Sequence, residues 1–168
     1  MMLEIAVEAD EEWDSSTDWA ALADAAAKAA IAESRYPGLT EAARPVELSI
    51  RLTGDEVVRA LNAEWRGKDK PTNVLSFPLA EADELASAVD EGPELMLGDI
   101  VLARGTCVRE AEEKQIPVEQ HASHLLVHGT LHLLGYDHHD DDEAADMEAR
   151  ETRALARLGI ANPYEEAA

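Results

Sequence analysis

His128-Gly129-Thr130-Leu131-His132-Leu133-Leu134-Gly135-Tyr136-Asp137-His138 decides how the rest of the chain reads. His128 and His132 are four residues apart, so on a helix their side chains lie one above the other on the same face. Gly135 follows where a helix stops readily, because glycine accepts the left-handed backbone of a C-terminal cap. The chain can turn there and bring His138 back toward the same point. Three neutral imidazoles with a fourth position open form the ligand pattern of a catalytic zinc site, whereas structural zinc sites are closed by four protein ligands. A lone histidine on an apolar helix face is ordinarily a core residue with a satisfied hydrogen bond. The third histidine, just past a glycine stop, is what lifts this group above that reading.

Two more histidines, His121 and His124, precede the pair, and His124, His128 and His132 form a row at four-residue steps. One ion cannot take all three. His124 and His132 would stand about 12 Å apart at 1.5 Å per residue, while zinc–nitrogen bonds are near 2 Å. Only the pair 128 and 132 has a glycine and a further histidine close behind it, and it is preferred here. His124 is then a packing or outer residue. His139 remains the rival to His138 on spacing, but Asp140, Asp141 and Asp142 follow it at once and give it a solvated setting.

Around this stretch the chain alternates between strand and helix patterns. Leu3 to Ala9 and Val46 to Thr53 show period-two alternation and predict strands. Thr17 or Asp18 caps an alanine-rich helix running to about Tyr36, which Pro37-Gly38 ends. Thr53 with Glu56 forms a capping-box pattern that opens a helix through Trp65. Val74 to Phe77 is a short strand closed by Pro78, and residues 80–94 are acidic and predict a loop. Leu97 to Ala103 is a strand. Helices follow at about 104–115, 118–134 and 141–158, with Pro117 in the first turn of the middle one. The order predicts an α+β fold: one domain spanning 1–168, with a small mixed sheet of about four strands and five helices. The histidine helix is apolar on most sides and is expected at its centre.

Composition limits the alternatives. The chain has 168 residues, 46% of them apolar, which suits one globular core. No apolar run is long enough to span a bilayer, so no membrane partner is expected. The start lacks a basic segment and a long apolar core, so no signal peptide is expected. Cys107 is the only cysteine; no internal disulfide can form, which agrees with a reducing, cytoplasmic setting. The formal charge is −22, from 36 acidic and 14 basic residues. That excess disfavours nonspecific attraction to phosphate backbones. Arg66, Lys68 and Lys70 are the local exception.

These residues resemble the YbeY endoribonuclease family, also called the ribosomal RNA maturation factor family. His128 to His138 is similar to its signature. Leu61-Asn62 with Arg66-Gly67-Lys68-Asp69-Lys70-Pro71-Thr72-Asn73-Val74-Leu75-Ser76-Phe77-Pro78 resembles its second block, and Leu97-Gly98-Asp99-Ile100 its third. The blocks occur in the expected order, and the likeness runs from about 61 to 158. The resemblance implies a zincin-like metal-dependent hydrolase domain with a central metal-binding helix. It implies one zinc ion held by His128, His132 and His138, and an essential arginine at Arg66. The implied activity is cleavage of single-stranded RNA in ribosomal RNA maturation, notably at the 3′ end of the small-subunit RNA, with a role in ribosome quality control.

The chemistry agrees with that expectation. Zinc polarises a phosphoryl oxygen and lowers the pKa of water to about 7. A guanidinium offers two parallel donors to phosphate and stays charged. Without the family likeness, Arg66 would read as an exposed helix-end cation at the negative end of the dipole. Lys68 and Lys70 are candidates for substrate phosphate contact, with a solvated surface as the alternative. Gly129 stands where zinc peptidases of the His-Glu-x-x-His type carry their general base, and glycine cannot move a proton. That disfavours the peptidase alternative, while an amidohydrolase or a noncatalytic ribosome-binding module with a structural metal stays open. Asp137 either orients an imidazole or serves the turn. No general base is evident.

Overall fold

The structure is a computed structural model whose described residues are 3–11, 13, 16–42, 44–70, 72–88, 90, 92–137 and 140–163. A four-stranded sheet runs β1 (Leu3–Ala9), β2 (Val46–Thr53), β4 (Leu95–Ala103), β3 (Val74–Pro78) across its width. β1 and β2, and β2 and β4, are parallel, while β3 pairs antiparallel with β4 and forms an edge. The helices are α1 (Trp19–Ala32), α2 (Asp55–Arg66), α3 (Ala82–Ala86), α4 (Arg104–Lys114), α5 (Val118–Leu133) and α6 (Asp141–Arg157).

The alternation in β2 explains the main core. Val46, Leu48, Ile50 and Leu52 are all buried on one face, where the central helices α1 and α5 cover the sheet. β4 reaches the same face with both parities: Leu95 and Leu97 from its first half, Ile100 and Leu102 from its second. The register slips by one residue between Glu47 and Leu48 opposite β4. That bulge resets the period-two phase, so both halves of β4 point their leucines and isoleucine inward. On the opposite face α2 packs over β3 and β4, closing a smaller cluster of Val58, Leu75, Val101 and Ala103. The histidine helix α5 packs against β3, β4, α1, α4 and α6, which accounts for its being apolar on most sides.

Several boundaries differ from the sequence reading for local reasons. Asp18, not Thr17, caps α1, accepting from the Ala21 N–H at 3.1 Å. Thr17 instead donates to Glu119 at 3.1 Å and ties this cap to the start of α5. α1 stops at Ala32, and Pro37–Glu41 form a separate 3-10 turn. Ser34 Oγ bonds the Ile31 carbonyl at 2.7 Å, and a residue before proline resists the helical region. The expected Thr53–Glu56 capping box is absent, because Thr53 Oγ1 donates to Asp10 across the sheet and Gly54 is the N-cap. The stretch 80–94, read as loop, contains α3, a sixth helix. Its N-terminus is held by reciprocal bonds between Glu81 and Glu84, and buried Leu85 anchors it. Pro117 lies at the N-cap of α5, one position before the first turn.

Candidate active site at the histidine helix

α5 presents His128 and His132 one turn apart, and their Nε2 atoms are 3.0 Å from each other. Two ligands bonded at 2.0–2.1 Å in tetrahedral geometry would lie roughly 3.3 Å apart. The observed separation is within a few tenths of that, so the two nitrogens converge on a point one cation can share. The rings are nearly perpendicular, at 84°, so they meet at their Nε2 edges instead of stacking.

The far side of His128 is held by a residue from another helix. Its Nδ1 meets the carboxylate of Glu151 on α6, and Glu151 is fully buried. His124 approaches the other oxygen of that carboxylate, with Nε2 at 3.8 Å. The first member of the histidine row is therefore turned toward α6 and not toward the pair's common point. His121 is committed elsewhere: its Nε2 is 2.8 Å from Glu110 on α4. Burial pushes the His121 pKa down, against the pull of the Glu110 carboxylate, and keeps that imidazole neutral. Glu110 also accepts from Asn73 Nδ2 at 3.0 Å, which fixes the strand entry beside the site.

Past α5 the backbone turns as expected at Gly135, whose φ of 94° is in the left-handed region. Tyr136 is buried, and its hydroxyl accepts from the Arg35 N–H at 2.8 Å. The guanidinium groups of Arg35 and Arg150 lie 4.6 and 4.9 Å from the centre of its ring. The turn is thus clamped between the end of α1 and α6 before it reaches Asp137. His138, the expected third ligand, and its rival His139 lie outside the described residues. Among the described residues no group of three His, Cys, Asp or Glu side chains is arranged to hold a metal ion. Of the three expected ligands, His128 and His132 are the two among the described residues, and their Nε2 atoms stand together.

A cleft of about 550 Å³ opens over this pair. Arg66, Asn73, Ser76, Tyr136 and Asp137 line it together with both imidazoles. Arg66 is the last residue of α2, so α2 and α5 approach the cleft from opposite faces of the sheet, past the β3 edge. Lys68 and Lys70 are exposed in the loop beyond and are not among the cleft's described lining residues. That loop is nevertheless pinned. Buried Asn62 donates to the Lys70 carbonyl at 2.9 Å, and Arg59 pairs with Asp69 at 2.9 Å. Gly129 is packed tightly against the sheet: a Cβ there would lie 3.1 Å from both Ile100 Cγ2 and Ser76 Oγ. The close approach it permits is therefore to the side chains of β3 and β4, not to an open substrate space.

Sequence reasoning missed Glu151. A signal was present, because Met147, Glu151, Ala154 and Leu155 fall on the buried stripe of α6 at helical spacing. A carboxylate on such a stripe needs a partner. Cys107 is buried as expected, and its thiol pKa is pushed up to about 12 by desolvation, which removes it as a nucleophile.

Scaffold and cleft together make an α+β domain that brings two converging imidazoles and an arginine to one opening. A model described as endoribonuclease YbeY matches residues 6–159. Curated relatives agree over nearly the whole chain. The endoribonuclease YbeY of Rhizorhabdus wittichii is 54% identical over 165 residues, 97% of each chain. That of Sphingopyxis alaskensis is also 54% identical, over 97% of this chain and 98% of its own. That of Erythrobacter litoralis is 53% identical over 98% of both. The solution structure of TM1509 from Thermotoga maritima shares the fold, with a TM-score of 0.55 at 21% identity over 97% of this chain and all of its own. The chain belongs to the endoribonuclease YbeY family.

Proposed function

We propose that this chain cuts single-stranded RNA with one zinc ion held by His128, His132 and His138, and that its substrate is ribosomal RNA at the 3′ end of the small-subunit molecule. The observation that carries this reading is the 3.0 Å approach of the two Nε2 atoms at a cleft that Arg66 also lines. Imidazole nitrogens suit zinc, and two converging on one point from a buried helix form a preorganised half-site. When bound, the ion supplies Lewis-acid polarisation of a phosphoryl oxygen. Arg66 grips phosphate oxygens through its forked donors and stabilises the charge that grows on them as the bond breaks. Lys68 and Lys70 draw the backbone of the strand toward the cleft by charge. The residue after the first ligand is glycine, so no carboxylate stands there to serve a peptidase. A cytoplasmic setting, work on the ribosome or its small subunit, and a role in ribosome quality control complete the proposal. Among the described residues no helix is long and apolar enough to cross a membrane.

The test is cleavage of a single-stranded RNA carrying the small-subunit 3′ end, at low and high salt. Salt is varied because the chain's −22 charge opposes RNA at low ionic strength. Cleavage that stops with a chelator and returns with zinc is expected. Turnover of a peptide or amide with none of RNA would overturn the proposal.

A further inference from the structure

We infer that Glu151 is the positioning residue of this site, and that it selects which nitrogen of His128 faces the metal; this rests on the metal-holding role proposed above. Glu151 is reached from α6, 23 residues beyond His128, and its side chain is 1% exposed. A carboxylate taken so far out of water is costly unless a partner occupies it. Among the described residues two imidazoles approach it: Nδ1 of His128 on one oxygen, and Nε2 of His124 at 3.8 Å from the other.

The geometry of the ring turns this contact into a choice. Nδ1 and Nε2 point out of different edges of an imidazole. A neutral imidazole carries one proton, and the nitrogen without it is the one able to ligate. A carboxylate at Nδ1 holds the proton there and leaves the Nε2 lone pair bare. Nε2 is the atom that stands 3.0 Å from His132 Nε2. The same contact keeps Glu151 behind the ring, so it can neither ligate the ion that Nε2 holds nor touch the reacting phosphate. Its effect on the ion passes through the His128 ring.

The placement also couples metal loading to the docking of α6. Arg150, the residue before Glu151, donates to the Glu33 carbonyl at 2.7 Å and covers the Tyr136 ring. One turn of α6 therefore fixes both the orientation of His128 and the turn that leads toward His138. His124 gains a role as well: it is the second imidazole on the shared carboxylate.

The experiment compares wild type with Glu151→Gln, an amide of the same shape that can present N–H to Nδ1. Zinc affinity is measured by chelator competition. The tautomer of His128 in the metal-free chain is read from long-range nitrogen–proton spectra at mildly alkaline pH. Expected are Nδ1–H in wild type, loss of that single tautomer in Glu151→Gln, and zinc affinity weaker by about 10–100-fold at unchanged secondary structure. Equal zinc affinity in the two proteins, or an Nε2–H tautomer in wild type, overturns the inference. The tautomer of the wild type decides the matter even if the variant fails to fold. A wild type that binds no zinc but shows the Nδ1–H tautomer defeats the metal proposal and not the orientation by Glu151.

Discussion

The imidazoles of α5 line one cleft with Arg66 at the end of α2, Lys68 and Lys70 lie in the loop beyond, and the two groups are held in opposite ways. His128 is fixed by a helix packed against β3, β4, α1, α4 and α6 and by Glu151 behind its ring. Arg66, Lys68 and Lys70 are exposed, and their loop is pinned at the Lys70 carbonyl by Asn62 and at Asp69 by Arg59. The difference matches what each would bind under the function proposed above. A metal–nitrogen bond is judged to a few tenths of an ångström, so its ligands need a rigid, buried platform. Attraction to phosphate falls off slowly with distance, so a cation on a flexible stem suffices. Rigidity is concentrated where geometry decides, and the long side chains do the reaching.

The contrast predicts graded losses. His132→Ala should lower kcat/KM for single-stranded RNA by roughly a thousandfold or more, since metal assistance is worth several kcal/mol. Near-normal RNA cleavage by that variant would break the inner half of the comparison. Arg66→Ala should cost about 10²–10³ in kcat/KM, as loss of one transition-state donor does, with its thermal midpoint unchanged because the side chain is exposed. Arg66→Lys should recover little, because the charge returns without the fork. An Arg66→Ala protein that matures RNA normally removes the arginine from the mechanism.

Smaller effects sharpen the outer half. The double change Lys68→Ala, Lys70→Ala should raise KM a few-fold and leave kcat alone. It should also flatten the salt dependence of binding by about 0.7 for each phosphate no longer neutralised. An unchanged salt slope would reduce both lysines to solvated surface. The smallest effect concerns the buried imidazole behind the site. Burial lowers the His121 pKa below its ordinary value, so the folded chain binds fewer protons than the unfolded one. Its contribution to stability is complete above about pH 6.5 and is lost as pH falls toward the lowered value. A thermal midpoint that declines over that window, and declines less in His121→Gln, is expected; identical pH profiles would contradict it.

Much of the fold and both members of the histidine pair were legible in the sequence because they are local. Period-two alternation marked β1 and β2, four-residue spacing marked His128 and His132, and a glycine marked the turn at Gly135. What escaped was nonlocal or had a competing partner. The β4 bulge breaks the alternation that a strand reading relies on, and it shows only against the register of β2. Thr53 had a capping partner in sequence but an aspartate from beyond another strand in space. Glu151 sits in an acidic helix where Glu143 and Glu148 look much the same, and only burial separates it from them. The short helix α3 hid in an acidic stretch because a single turn with one leucine carries almost no periodicity.

Metal content of the purified chain beside its His132→Ala and Arg66→Ala variants tests the central claim most directly. One equivalent of zinc in wild type and in Arg66→Ala, with none in His132→Ala, is the predicted result. A full equivalent retained without His132, or RNA cleavage by a wild-type chain stripped of metal, would contradict it.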